Sequence, residues 1–191
     1  MPTELERWLE AVVVTPGLTS LDLSRARVSL LDDALRAVEL VAAHAGPVVD
    51  VGSGNGSPGL PLAHALPGRE FVLLESQRRR CEFLEAWAPP NARVVWGRAE
   101  EQETDWAGVA LAKALAPPAV AMEWCVPLVR PGGVAILWLG ESAELAHLEE
   151  VAPRLAAELA EVSEGLAVLR KTGATPAGFP RRPGIARKRP L

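Results

Sequence analysis

The stretch VVDVGSGNGSPGLPLAHAL, residues 48–66, places four glycines within eight positions directly after an apolar run. The run Pro47–Val51 predicts a buried strand, and the pattern from Gly59 to Leu66 predicts a helix. Glycines between a strand and a helix let the backbone bend sharply and approach a ligand closely. In α/β proteins such ligands lie at the carboxyl ends of the strands. The stretch therefore predicts a ligand-binding loop at the first turn of an α/β fold.

Short apolar runs alternate with helical patterns along the rest of the chain. Strands are predicted at 70–74, 93–96, 109–112, 134–139 and 162–169, and helices at 77–88, 118–129 and 142–159. This alternation indicates a parallel sheet with helices on both faces. Trp96 and Trp138 fall in predicted strands, so we expect both in the core.

The chain before the glycine loop is expected to be helical. A helix is predicted over residues 4–14, a loop over 15–26, and then a helix capped by Ser29. We therefore divide the chain into an N-terminal helical segment, residues 1–46, and one domain, residues 47–191, which includes the C-terminal tail.

The charged side chains are distributed unevenly. The 191 residues carry a formal net charge of −4, yet seven of the 20 basic side chains and none of the 24 acidic ones lie in residues 170–191. A basic tail on an acidic body indicates a polyanionic partner that binds at one end. The alternative is a solvated, disordered tail without a partner.

The sequence argues against a membrane protein, a secreted protein and a metal site. No run of 18 uncharged apolar residues exists, so we expect no transmembrane helix and no membrane partner. The N-terminus carries acids where a secretory signal needs bases, which favours a cytoplasmic location. Two isolated cysteines, Cys81 and Cys125, and three scattered histidines form no metal-binding pattern, so no metal site is expected.

Three classes of ligand-binding loop compete for the glycine stretch. No G-K-[ST] follows, which excludes a phosphate-binding P-loop. Gly54–Gly59 formally fits the dinucleotide pattern G-x-G-x-x-G, which keeps an NAD-dependent oxidoreductase as an alternative. Asp50–Gly56 instead looks like the D-x-G-x-G-x-G loop of class I S-adenosylmethionine (SAM) methyltransferases. Asp50 would then face the cationic end of SAM, and Glu75, at the end of the second strand, would accept hydrogen bonds from the ribose.

Four stretches narrow this resemblance: GSGNGSPGLPLA, ESQRRRCEFL, WGRAEE and the C-terminal FPRRPGIARKRPL. Over about residues 48–191 the chain resembles the bacterial 16S rRNA guanine-N7 methyltransferases, the RsmG (GidB) family. The resemblance implies the class I methyltransferase (Rossmann-like) fold with a mostly parallel seven-stranded sheet. It also implies SAM as the cofactor, and 16S rRNA or the small ribosomal subunit as the partner.

The loop and the resemblance together nominate a set of cofactor-binding residues. Lys113 stands where the family has an arginine at the end of the fourth strand, and Ala99 and Glu100 match a pair that approaches adenine. The full set is Asp50, Gly52, Ser53, Gly54, Gly56, Ser57, Glu75, Ala99, Glu100 and Lys113.

The implied reaction needs no general base, because guanine N7 carries a lone pair and no proton. The protein must hold N7 in line with the methyl group and the sulfur, so no catalytic side chain is predicted. The alternatives are a SAM-dependent methyltransferase of another RNA or a small molecule, and a non-catalytic RNA-binding paralogue.

RNA contacts are predicted from basic side chains near the loop and in the tail, since arginine and lysine supply most phosphate contacts. The candidates are Arg78, Arg79, Arg80, Arg181, Arg182, Arg187, Lys188 and Arg189. We expect residues 181–189 to be ordered against the sheet and to position RNA; alternatively, they only complete the last strand pair. Replacing the tail bases is expected to weaken RNA binding and to leave SAM binding unchanged.

Overall fold

The computed structural model describes residues 3–140 and 143–191, and in this part of the chain seven strands form one sheet. The strands are β1 Val48–Val51, β2 Phe71–Glu75, β3 Ala92–Trp96, β4 Ala107–Ala112, β5 Val129–Trp138, β6 Ala157–Ser163 and β7 Leu166–Lys171. Their order is β3-β2-β1-β4-β5-β7-β6. β1 to β5 pair in parallel, whereas β7 is antiparallel to both β5 and β6. The predicted mostly parallel seven-stranded sheet is confirmed.

Helices cover both faces of this sheet. They are α1 Glu4–Val14, α2 Leu23–Ala26, α3 Asp33–Leu35, α4 Val38–Ala42, α5 Gly59–Ala65, α6 Arg78–Glu85, α7 Pro118–Cys125, α8 Leu145–Val151 and α9 Ile185–Lys188. Buried residues of α7, α8 and α9 share one apolar cluster with one side of the sheet. α4 and α5 cover the other side beside α1 and α6. Because β1, β2 and β4 are buried along their whole length, they read as apolar runs, with Asp50 in β1 and Glu75 at the end of β2 as the exceptions.

The N-terminal helices pack onto the sheet beside the glycine loop. Thr3 and Glu6 form a capping box that starts α1. Trp8 of α1 is buried in one cluster with Leu60 of α5 and Leu73 of β2. The first residues of the chain therefore contribute to the core under the predicted ligand site.

The second N-terminal helix begins earlier than expected. The helical run starts at Leu23, because the Asp22 side chain accepts a hydrogen bond from the backbone N–H of Arg25 and caps it. Ser29 lies inside the run, in a π-helix over Arg27–Asp32, and does not cap it. The prediction of a loop through residue 26 and a cap at Ser29 was wrong, and Asp22 was the available signal.

The helix predicted over 142–159 is shorter in the structure, and the strand predicted over 162–169 is part of a hairpin. The first residue of the predicted helix, Ser142, lies outside the described residues. α8 passes into a 3-10 turn at Ala152–Leu155, which contains Pro153, and β6 follows. Glu164 and Gly165 both have positive φ, at 49° and 78°, as the tight hairpin turn between β6 and β7 requires.

The placement of Trp96 also differs from the prediction. β3 is an edge strand, and Trp96 at its end is 62% exposed, whereas it was expected in the core. Its indole N–H donates to the backbone oxygen of Ser76 at 3.1 Å. Within the described residues, no helix is long and apolar enough to cross a bilayer.

Candidate functional site

The glycine loop crosses from the end of β1 to the end of β2. The backbone N–H groups of Gly52 and Ser53 both donate to the Leu74 carbonyl, at 2.7 and 3.1 Å. The Glu75 carboxylate accepts from the Gly54 N–H at 2.9 Å and from the Gln77 N–H at 2.8 Å. The acid predicted at the end of the second strand therefore fixes the loop to that strand.

Two loop glycines have conformations that exclude most side chains. Gly52 has φ +69°, and a Cβ there would collide with the Leu115 side chain. Gly54 has φ +58°, and a Cβ there would make only ordinary van der Waals contacts, with Gly52 O at 3.6 Å and Arg80 Nη1 at 3.9 Å. Gly54 thus presents bare backbone to a space that a ligand can enter.

Asp50 lies beneath the loop with one carboxylate oxygen unpaired. Its Oδ2 accepts from the Gly59 N–H at 3.1 Å, at the start of α5. Its Oδ1 is buried and has no hydrogen-bond partner among the described residues. Burial raises the pKa of Asp50 to about 7. A buried acceptor without a donor is costly, so a cationic group or a bridging water would stabilise this side chain.

The N-terminal helices hold the outer side of the loop. The Trp8 indole N–H donates to Asn55 O at 2.9 Å, and the Asn55 side chain donates to Leu18 O at 3.2 Å. The Ser57 hydroxyl donates to Leu30 O at 2.7 Å. Ser53, the other loop serine, donates its hydroxyl to Asp50 O at 2.9 Å. Both serines predicted to bind the cofactor therefore bond to backbone carbonyls in this structure.

A cavity of about 320 Å³ opens above the carboxyl ends of β1, β2 and β3. This volume is at the lower end of the roughly 300–1,000 Å³ typical of small-ligand pockets. Its lining comes from Val51 and Gly52 after β1, Ser76 and Gln77 after β2, and residues 97–100 after β3. Leu115 after β4 and Trp124 of α7 complete one side. The position at the strand ends is the one that the sequence predicts.

The structure places the predicted cofactor residues in three groups. Gly52, Ala99 and Glu100 line the cavity. A second group supports or shapes the loop beside it: Asp50, Ser53, Gly54, Gly56, Ser57 and Glu75. Lys113 is not among the residues that line the cavity; its ammonium group donates to Ser29 O and pairs with Asp33 at 3.3 Å. In this structure Lys113 joins β4 to the N-terminal helical run.

The three arginines at the start of α6 take different positions. Arg78 lies over the exposed Trp96 ring, 5.3 Å from its centroid. Arg79 donates to Pro16 O at 3.3 Å. Arg80 is partly buried beside Gly54. Arg78 and Arg79 are exposed, so they can reach a ligand that extends past the cavity.

The C-terminal tail is ordered against α7 and the cavity. Phe179 packs on the apolar cluster of α7 and α8. Arg181 makes a two-pronged ion pair with the buried Glu123 carboxylate, and that hydrogen bonding raises the pKa of Arg181. Gly184 and Arg187 line the cavity. Arg182, Arg187, Lys188 and Arg189 are all exposed, and of these four only Arg187 lines the cavity.

Sequence reasoning missed several cavity residues, among them Trp124 and Arg187. Trp124 was only part of a predicted helix, and Arg187 was assigned to RNA alone. Helical periodicity could not show which side of α7 meets the strand ends, and no local pattern connects the tail to that helix. The described residues contain no cluster of three or more His, Cys, Asp or Glu side chains that could hold a metal ion.

The residues present fit a ligand of the SAM type. The cavity offers backbone and carboxylate acceptors after β2 and β3, and the absence of a side chain at Gly54 leaves room beside the loop. The free oxygen of Asp50 suits a cationic group held directly or through water. No charge cluster or metal would be needed to hold such a molecule.

Comparison with solved structures confirms the expected class of fold. The antibiotic-resistance methyltransferase Kmr superposes with a TM-score of 0.56 at 19% identity, over 73% of this chain and 92% of that one. The T. thermophilus 16S rRNA N2 G1207 methyltransferase RsmC, in complex with AdoMet and guanosine, gives 0.51 at 16% identity, over 74% of this chain and 40% of that one. At these identities the likeness shows the class I methyltransferase fold alone.

Sequence comparison identifies the family. The ribosomal RNA small subunit methyltransferase G of Synechococcus elongatus is 34% identical over 170 residues, which cover 76% of this chain and 69% of that protein. The model of the GidB family, described as rRNA small subunit methyltransferase G, matches residues 8–168. The match spans the glycine loop, the cavity strands and α7. The chain belongs to the GidB family of rRNA small subunit methyltransferases.

Proposed function

We propose that this protein transfers a methyl group from SAM to N7 of a guanine in the 16S rRNA of the small ribosomal subunit, in the cytoplasm. The observation that carries the proposal is the cavity at the ends of β1, β2 and β3, which is built around the glycine loop of a GidB family member. SAM would supply an electrophilic methyl group on a sulfonium.

The cofactor-binding role falls to the loop and to the residues after β2 and β3. Gly54 leaves room for the ligand, and Asp50 offers an unpaired acceptor to its cationic part. The Glu75 carboxylate accepts from the Gly54 and Gln77 N–H groups and from the Ser76 hydroxyl, and a carboxylate has about four lone-pair sites, so acceptor capacity remains for about one ribose hydroxyl. Ala99 and Glu100 would flank the adenine.

The chemistry requires positioning and no proton transfer from the base. Guanine N7 has a free lone pair, so the protein has to hold N7 on the line through the methyl group and the sulfur, with water excluded. Leu115 and Trp124 give the cavity an apolar side that can exclude water. We assign no general base, in keeping with that requirement.

The RNA surface would be formed by exposed basic groups on both sides of the cavity. Arg78 and Arg79 lie at the start of α6, and Arg182, Lys188 and Arg189 lie in the tail. Arg181 would hold the tail in place, because its guanidinium is committed to the buried Glu123. RNA affinity would come mainly from phosphate contacts of the exposed groups.

The cofactor assignment is tested by calorimetric titration with S-adenosylhomocysteine (SAH), the reaction product. Gly54→Val places a side chain in the space beside the loop where the ligand would lie, and it should abolish SAH binding. Gly132→Val is the matched control, since Gly132 also has positive φ (+82°) and open surroundings but lies at the opposite end of the sheet, in β5. Both variants carry the same kind of left-handed strain, about 1–2 kcal/mol or more. Equal SAH affinity in the two folded variants would refute the assignment.

The target atom is tested with small ribosomal subunits from cells that lack the protein. Incubation with isotope-labelled SAM, digestion of the 16S rRNA and mass spectrometry of the nucleosides should show label in 7-methylguanosine. Label in another nucleoside, or label in small molecules only, would contradict the proposed substrate.

A further inference from the structure

Residues 179–191, which we call the C-terminal segment, are anchored to α7 by a buried ion pair. The Arg181 Nε donates to Glu123 Oε1 at 2.7 Å, and its Nη2 donates to Glu123 Oε2. The Glu123 side chain is buried, so the pair is shielded from competing water. The same guanidinium donates to Arg189 O at 2.9 Å and holds the segment's end close to its start.

Two further contacts bring this segment to the mouth of the cavity. The Gly184 N–H donates to Glu100 Oε1 at 3.1 Å. The Arg187 guanidinium lies over the Trp124 ring, 5.4 Å from its centroid. All four residues line the cavity. The segment therefore forms part of the cavity wall, next to the residues after β3.

The Arg187 guanidinium is held against Trp124, and its hydrogen-bond donors have no partner in the described part of the chain. Stacking on an aromatic face fixes the plane of an arginine side chain and leaves its N–H edge available. In residues 3–140 and 143–191 no hydrogen bond or ion pair engages this group. An arginine held on the wall of a ligand cavity with free donors can recognise a ligand acceptor.

We propose that Arg187 is a cofactor-binding residue that donates a hydrogen bond to the adenosine part of the ligand, and that the C-terminal segment positions it there. This rests on the proposed function, because it takes the cavity to be the SAM site. The tail then has two roles: Arg187, which lines the cavity, faces the cofactor, and Arg182, Lys188 and Arg189, which are exposed outside it, face RNA. The expectation that tail substitutions leave SAM binding unchanged is revised for Arg187 alone.

The test compares matched arginine variants of the full chain. Arg187→Met keeps much of the aliphatic stem and loses the guanidinium; Arg182→Met makes the same change at an exposed tail position outside the cavity. SAH affinity, measured by calorimetry, should fall about tenfold in Arg187→Met, the usual effect of losing one hydrogen bond from a charged donor. It should be unchanged in Arg182→Met. Arg187→Lys should also lose affinity, since lysine keeps the charge but not the planar fork.

A second ligand locates the contact. 5′-Methylthioadenosine carries the adenosine part of SAH without its amino-acid end, so its affinity should fall by the same factor in Arg187→Met. Equal SAH affinities of the wild type and a folded Arg187→Met variant would overturn the proposal while leaving the cofactor assignment in place. A loss for SAH but not for methylthioadenosine would overturn the adenosine contact. Absence of SAH binding by the wild type would refute the proposed function itself, and this proposal with it.

Discussion

Replacing Asp50 with asparagine should remove a pH-dependent loss of stability from the protein. Burial raises the pKa of this carboxyl from 3.8 to about 7, so between these values the folded state holds a proton that the unfolded state has released. The free energy of unfolding must then fall as the pH rises through this window, and it must level off above about pH 7. The folded protein thus bears the cost of a buried, ionised carboxylate at high pH.

The size of the effect follows from the shift. One pKa unit corresponds to about 1.36 kcal/mol, so a rise from 3.8 to about 7 costs about 4 kcal/mol across the window. The asparagine amide oxygen can still accept from the Gly59 N–H, so the start of α5 keeps its partner. In the variant, residue 50 should therefore contribute nothing to the pH dependence of the free energy of unfolding between pH 4 and pH 7.

The assay is urea unfolding of the wild type and Asp50→Asn at a series of pH values, with the free energy extrapolated to water at each. Other titrating groups are common to both proteins, so the difference between the two curves isolates Asp50. That difference should move by about 3 kcal/mol in favour of the variant from pH 4 to pH 7, and by about 4 kcal/mol over the whole titration. Parallel curves would refute the reasoning, because they would mean that the Asp50 carboxyl titrates alike in the folded and unfolded chains.

The same group links protonation to cofactor binding. If the free Asp50 oxygen faces the cationic end of SAH, binding favours the ionised carboxylate. SAH binding near pH 6 should then release a proton, seen as a binding enthalpy that changes with the ionisation enthalpy of the buffer. The change should vanish in Asp50→Asn.

Three further outcomes are expected. Lys171, which is fully buried, donates to Asp105, Val126 O and Thr175, so Lys171→Met should cost about 1–3 kcal/mol in urea unfolding by leaving the buried Val126 O without this donor, while Thr175 still donates to Asp105; a loss no larger than an exposed-lysine variant shows would contradict this. Lys113→Met should speed amide hydrogen exchange in the helical run over 23–35 while SAH affinity stays unchanged, and a weakened affinity would instead place Lys113 at the cofactor. Alanine at the three exposed tail bases that do not line the cavity should flatten the salt dependence of RNA binding, by a slope of about 0.7–0.9 for each phosphate that is no longer neutralised, without changing SAH affinity; an unaltered slope would show that these bases do not touch RNA. These bases are Arg182, Lys188 and Arg189.

The part of the fold that depends on local pattern was predictable. β1 is buried at every position, so apart from Asp50 it reads as an apolar run, and three of the four glycines that follow it have positive φ that other residues rarely adopt. Glu75 could be placed because it ends the buried strand β2. These signals lie within a few residues of each other, where chain geometry leaves few alternatives.

The parts that depend on distant contacts were not predictable. Trp96 looked like a core residue because its strand pattern does not reveal that β3 is at the sheet edge. Arg187 reaches the cavity only because Arg181 finds a carboxylate buried in α7. Composition assigned the whole tail to one role, since it cannot separate a basic group that is paired or stacked from one that faces solvent.

The hydrogen bonds that join Trp8 and Leu30 to the glycine loop have a consequence for how the cofactor is recognised. Ordering a backbone residue costs about 1–2 kcal/mol in conformational entropy, and here that cost is met when the N-terminal helices dock during folding. The loop is then preorganised, and a ligand that arrives need not immobilise it. Removing the first helix would transfer that entropy to the binding step, so a shortened chain could fold around its sheet and still hold its cofactor poorly.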